Sequence, residues 1–198
     1  MKNLLVMALV CAGVNTLSAQ SFEADRFTAG ASVVSTFGDY RAFTNRSLGF
    51  AVEGTYDITR DPQPLNFRAL VGFVSVGGKE RADLNTSLSL SGIRAGVDVT
   101  FRTPSEKVTP YVGLVFTRWT GKASQTGNLT AEAADFSDKS FKLGFRVGVD
   151  VAVTRNVVLA ADYNVSEWRH SADISRRPTW GVNPVNPSWM SVTARYRF

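Results

Sequence analysis

The segment from Met190 to Phe198 alternates without a break: Met190, Val192, Ala194, Tyr196 and Phe198 interleave with Ser191, Thr193, Arg195 and Arg197. In an extended strand successive side chains leave opposite faces, so the alternation builds one oily stripe and one polar stripe. The same pattern runs through Phe141, Leu143, Phe145, Val147, Val149 and Val151, set against Lys142, Gly144, Arg146, Gly148 and Asp150. It recurs with Leu48, Phe50, Val52 and Tyr56 opposite Gly49, Ala51, Glu53, Thr55 and Asp57. A slip of one residue between Phe141 and Val151 would move Lys142, Arg146 and Asp150 to the oily side together, so the register is strongly fixed.

Period two predicts eight strands, over 26–37, 48–58, 65–76, 88–101, 110–120, 139–153, 157–168 and 188–198. The intervening connections alternate between long and short, and Arg60-Asp61-Pro62 and Arg102-Thr103-Pro104 supply turn chemistry at two of the short ones. The fold class read from this is all-β: an eight-stranded antiparallel up-and-down barrel with oily stripes facing lipid. A closed sheet is the one all-strand arrangement in which every backbone N–H and C=O finds a partner inside a bilayer. Outward oily stripes follow from energy, since an Arg or Lys on the lipid face at midplane costs about 2–4 kcal/mol.

The start of the chain reads as an export leader. Lys2 precedes an apolar run from Leu4 to Val14, and Leu17-Ser18-Ala19 offers small residues ahead of Gln20, so residues 1–19 are expected to be cleaved from a barrel domain over 20–198. The apolar run falls well short of the roughly 20 residues a membrane helix needs. Cys11, the only cysteine, lies within that leader, which leaves the mature chain without disulfides or thiolate metal sites. The mean hydropathy of −0.05 does not conflict with a membrane barrel, because each strand commits only every second residue to lipid. A net charge of +5 suits anionic lipid and is too mild and dispersed to argue for nucleic acid.

With its strand count, alternating connections, leader and terminal Phe198, the chain resembles the small eight-stranded outer-membrane β-barrel superfamily, OmpA/OmpX-like, without a peptidoglycan-binding domain. The resemblance implies residence in the bacterial outer membrane with both termini in the periplasm and the long connections outside. It also implies that Tyr196 and Phe198 belong to a signal read by the outer-membrane assembly machinery, and that lipids and lipopolysaccharide are neighbours. By the same resemblance Cys11 is not lipidated, because Ala8-Leu9-Val10 lacks the small residue that precedes a lipoprotein cysteine.

Eight strands enclose a lumen wide enough only for side chains. The inward charges are read as Glu53, Arg68, Arg94, Asp98, Arg118, Lys142, Arg146, Asp150, Asp162, Arg195 and Arg197, with Gly30, Gly49, Gly72, Gly96, Gly113, Gly144 and Gly148 making room for them. Seven cations face four anions in this set, which implies paired ions with buried water. Phe37, Phe73, Phe116, Trp119, Phe141, Trp168 and Trp189 read as an interfacial girdle at one end, and Phe27, Tyr56, Phe67, Phe101, Tyr111, Tyr196 and Phe198 as the girdle at the other.

The last long connection carries Arg169, Arg176, Arg177 and Trp180, candidates for gripping lipopolysaccharide phosphates, against the plainer reading of a solvated loop. His170 adjoins Ser171 and follows Glu167, but this spacing departs from that of barrel deacylases, so no catalytic residue is assigned. Glu132, Asp135 and Asp138 lack the alternation and glycine of a calcium loop, and no metal or cofactor is expected. The function expected is structural or surface-interacting and non-enzymatic, with the oligomeric state unread. A narrow anion-preferring channel, a lipid A-modifying enzyme and a soluble lipocalin-like barrel are the competing readings.

Overall fold

In a computed structural model the chain forms one closed barrel in which β1 to β8 neighbour one another in sequence order. The structure describes residues 26–37, 47–59, 63–77, 86–105, 107–125, 136–166 and 188–198, with the backbone alone at 86–88, 122–125, 136–140 and 166. The strands are β1 Phe27–Phe37, β2 Leu48–Asp57, β3 Leu65–Gly77, β4 Thr86–Phe101, β5 Val108–Gln125, β6 Phe136–Ala152, β7 Val157–Ser166 and β8 Ser188–Arg197. Every neighbouring pair is antiparallel, and Thr28↔Arg197 to Phe37↔Ser188 closes the sheet from β1 to β8.

The predicted strands are all present; at the short-turn end β5 starts at Val108 instead of 110, and the larger differences lie at the long-connection end. There β4, β5 and β6 extend to Thr86, Gln125 and Phe136, beyond the predicted 88, 120 and 139. Backbone pairing continues through Thr86↔Gln125 and Ala123↔Phe136 after the side-chain alternation has faded. Strands of 18 residues in β5 and 17 in β6 outrun the roughly 9–11 that a bilayer requires.

Parity decides what each side chain meets. Val33, Phe50, Val71, Ile93, Leu114, Phe145 and Val192 point outward and are exposed, while Ser32, Ala51, Leu70, Arg94, Val115, Arg146 and Thr193, on the opposite parity, are buried inside. The interior divides into two layers. Toward the long-connection end it is mainly apolar, filled by Val34, Val74, Val76, Leu90, Trp119 and Trp189, with Thr36 and Ser47 hydrogen-bonded to each other there. Toward the short turns it is ionic.

Candidate functional site: the luminal charge ring

Among the described residues, the charged side chains buried inside the barrel are Glu53, Arg68, Arg94, Asp98, Arg146, Asp150, Asp162 and Arg195, four of each sign. Six of them form a closed ring of alternating charge. Arg146 Nη1 donates to Glu53 Oε2 at 3.1 Å and Arg146 Nη2 to Asp98 Oδ2 at 3.1 Å. Arg68 donates from Nη2 to Asp98 Oδ2 at 3.0 Å and from Nη1 to Asp150 Oδ2 at 2.5 Å. Arg195 bonds Asp150, and its Nε donates to Glu53 Oε1 at 2.8 Å, returning to the starting carboxylate. Arg94 hangs on the outside of this ring, with Nη2 3.4 Å from Glu53 Oε2.

Tyr111, fully buried, is the hub. Its ring centroid lies 4.7 Å from the Arg68 guanidinium, 4.8 Å from that of Arg146 and 5.7 Å from that of Arg195. These are the three cations of the ring. Gathering guanidiniums around one aromatic ring offsets part of the desolvation that burial imposes on them. Asp162 stands apart from the ring and accepts a hydrogen bond from Asn164 Nδ2. A second geometric element sits nearer the long connections, where Trp119 and Trp189 meet edge-on at 5.6 Å and the Arg94 guanidinium lies 5.9 Å from the Trp189 ring.

The sheet explains how so many long side chains fit. Glycines face the lumen directly across from them: Gly30 opposes both Glu53 and Arg195, and Gly148 opposes both Tyr111 and Asp162. A methyl group at Gly148 would stand 2.5 Å from the Tyr111 ring and 2.7 Å from Asp162 Cβ. Such an approach forces the neighbouring strand to give way.

Several sequence expectations need correction. Arg118 is not luminal; it is exposed and shares the outward parity of Val112, Leu114 and Phe116. Tyr111, Trp119 and Trp189 are not girdle residues; each is buried and faces inward. In β5 the cause is that both faces are apolar from Pro110 to Phe116, so hydropathy does not mark the inner one. Lys142 has luminal parity but is half-buried and pairs with no described carboxylate, and Arg197 lies exposed at the short-turn mouth. The predicted excess of seven cations over four anions therefore reduces to a balanced set. The remaining expected girdle residues with described side chains face outward, and Phe27 and Tyr196 each lie within 5.6 Å of the Phe198 ring. Trp168, Glu167, Arg169, His170, Ser171, Arg176, Arg177, Trp180, Glu132 and Asp135 lie outside the described residues, as does the side chain of Asp138.

Comparison with known proteins agrees with this geometry. A family model described as an outer membrane protein beta-barrel domain matches residues 4–198. Among solved structures, Neisserial surface protein A is 21% identical, with 87% of this chain and 96% of that one covered at a TM-score of 0.53. Ail, the attachment invasion locus protein of Yersinia pestis, is 20% identical over 87% of this chain and 96% of its own, at a TM-score of 0.54. Ail in complex with the heparin analogue sucrose octasulfate matches at 18% identity, 87% and 96% coverage, and a TM-score of 0.52. At such identities the likeness is one of fold. Curated protein sequences gave no match.

Proposed function

The chain belongs to the outer membrane protein β-barrel domain family, and from that premise we propose that it is a sealed, non-enzymatic barrel of the bacterial outer membrane that acts through its long connections. In this reading residues 1–19 are an export leader removed at the inner membrane. Both termini then face the periplasm, the long connections face outward, and the terminal strand with Tyr196 and Phe198 is what the assembly machinery reads.

One observation carries the proposal: the lumen is spanned by the Glu53–Arg146–Asp98–Arg68–Asp150–Arg195 ring around Tyr111, with Trp119 and Trp189 above it. A conducting pore keeps its charged groups open to water, whereas these are buried and paired with one another across the lumen. The balanced charge also removes the basis for anion preference. A surface role fits the extension of β4, β5 and β6 beyond the bilayer. It is also the kind of role that the names of the similar surface protein and attachment protein describe.

Planar-bilayer recording of the purified barrel tests the seal. Its expected result is no steady current, and steady nanosiemens-scale channels overturn the proposal. Mass spectrometry of lipid A from cells with and without the protein tests the non-enzymatic half, with unchanged acylation expected.

A further inference from the structure

Among the described side chains of the eight strands, Arg118 is the single charged group on the outward parity. Its cross-strand partners are Ile93 on β4 and Phe141 on β6, both exposed on the lipid side at 63% and 66%. Below this row the outward face is wholly apolar, through Ala95, Val97, Leu114, Phe116, Leu143 and Phe145. Above it the outward residues turn polar, at Ser91 and Thr120, which are paired. Arg118 thus stands on the line where the oily belt ends, level with Phe141 and one step beyond Phe116, whose rings stack with centroids 5.7 Å apart.

The height agrees. From Val108 to Arg118, at a rise of about 3.4 Å per residue and a tilt of about 40°, β5 climbs about 26 Å along the barrel axis, close to the roughly 25 Å height of a barrel's lipid-facing band. A cation there escapes the midplane penalty and lies level with the headgroups of the adjacent leaflet. No described carboxylate pairs with it. A guanidinium in this setting offers two parallel N–H donors, a fork that matches phosphate oxygens.

We propose that Arg118, framed by Ile93, Phe116 and Phe141, is a binding position for a phosphorylated lipid headgroup in the leaflet at the long-connection end. The aromatic and aliphatic frame receives the upper acyl chain while the guanidinium takes the phosphate. The proposal rests on the barrel's residence in a membrane and not on its closed lumen, so the conductance result leaves it untouched.

The test is native mass spectrometry of the purified barrel released from micelles containing equal phosphatidylglycerol and phosphatidylcholine. The wild type should retain phosphatidylglycerol in preference. Arg118→Gln should lower that retention about fivefold, as follows from about 1 kcal/mol per cation near an anionic surface, and Arg118→Lys should keep part of it. Millimolar inorganic phosphate should not displace the lipid. Unchanged retention in Arg118→Gln overturns the proposal, and so does full displacement by free phosphate, which would make this an ion site rather than a lipid site. Faster gel migration of each unboiled variant establishes that it is folded.

Discussion

Arg195 and Glu53 stand on β8 and β2, strands that are not hydrogen-bonded to each other, yet their side chains meet at 2.6 Å above Gly30, the residue both oppose in register. Only a residue without a side chain leaves the channel through which they reach each other. A Cβ at Gly30 would lie 2.7 Å from Arg195 Cγ and 2.8 Å from the Ala194 carbonyl oxygen. Gly30→Ala should therefore destabilise the barrel by about 1–3 kcal/mol in urea titrations on lipid vesicles. Gly77→Ala, where the added methyl meets nothing within 4 Å, should be close to neutral.

Glu53 is the acid on which Arg94, Arg146 and Arg195 converge. Glu53→Gln keeps its shape and removes its charge, leaving three buried guanidiniums to share the remaining carboxylates. Removing one partner of a buried pair typically costs about 3–5 kcal/mol, because the stranded charge stays desolvated. The same titration should show that loss. Arg197→Gln, at the exposed mouth, should change stability by less than about 1 kcal/mol.

Tyr111 separates two contributions. Its hydroxyl is 3.4 Å from Arg195 Nη2, a long hydrogen bond, whereas its ring approaches three guanidiniums. Tyr111→Phe should cost no more than about 1 kcal/mol, the worth of one ordinary hydrogen bond. Tyr111→Leu should cost several kcal/mol more, since desolvated cation–π contacts are worth about 2 kcal/mol each. Equal losses in the two variants would show that the hydroxyl, not the ring, supports the charge ring.

The barrel was legible because lipid and lumen impose opposite chemistry on alternate residues, and Met190 to Phe198 or Phe141 to Val151 display that contrast along their whole length. β5 was not legible in the same way. Tyr111, Val115 and Trp119 face inward while Val112, Leu114 and Phe116 face outward, so both faces are oily and Arg118 was the misleading cue. Gly113, on the inward parity and directly against the Asp98 side chain, was the signal that fixes the phase of β5. The ring's closure was beyond sequence, because it joins β2, β3, β4, β6 and β8 through partners that only tilt and register bring together.

Leu114 and Arg118 lie on the same face of β5 at different depths, which makes the strand its own ruler. Leu114 is about 16 Å from the Val108 level by the same rise and tilt, well inside the roughly 25 Å band. Leu114→Arg should destabilise the folded barrel by about 2–4 kcal/mol in vesicle refolding titrations, whereas Arg118→Leu should change it by less than about 1 kcal/mol. Equal effects at the two positions would mean that the belt is displaced along the barrel.

Trp119 and Trp189 close the apolar layer by one edge-on contact at 5.6 Å, reaching from β5 and β8 across the lumen. Each is almost wholly buried, so truncation to Ala opens a cavity and should cost about 3–5 kcal/mol. The two losses should not add. Once one indole is gone the other has already lost its ring partner, and a double-mutant cycle on urea midpoints should return a coupling of about 0.5–1.5 kcal/mol. Trp189→Phe is the informative companion: its indole Nε1 has no hydrogen-bond partner among the described residues, so a phenyl ring retains the packing and discards a group that burial penalises. That variant should fall well short of the Trp189→Ala loss. Because the charge ring lies in a separate layer, even the Trp119→Ala/Trp189→Ala double variant should carry no steady current, and conductance should require loss of the ring as well.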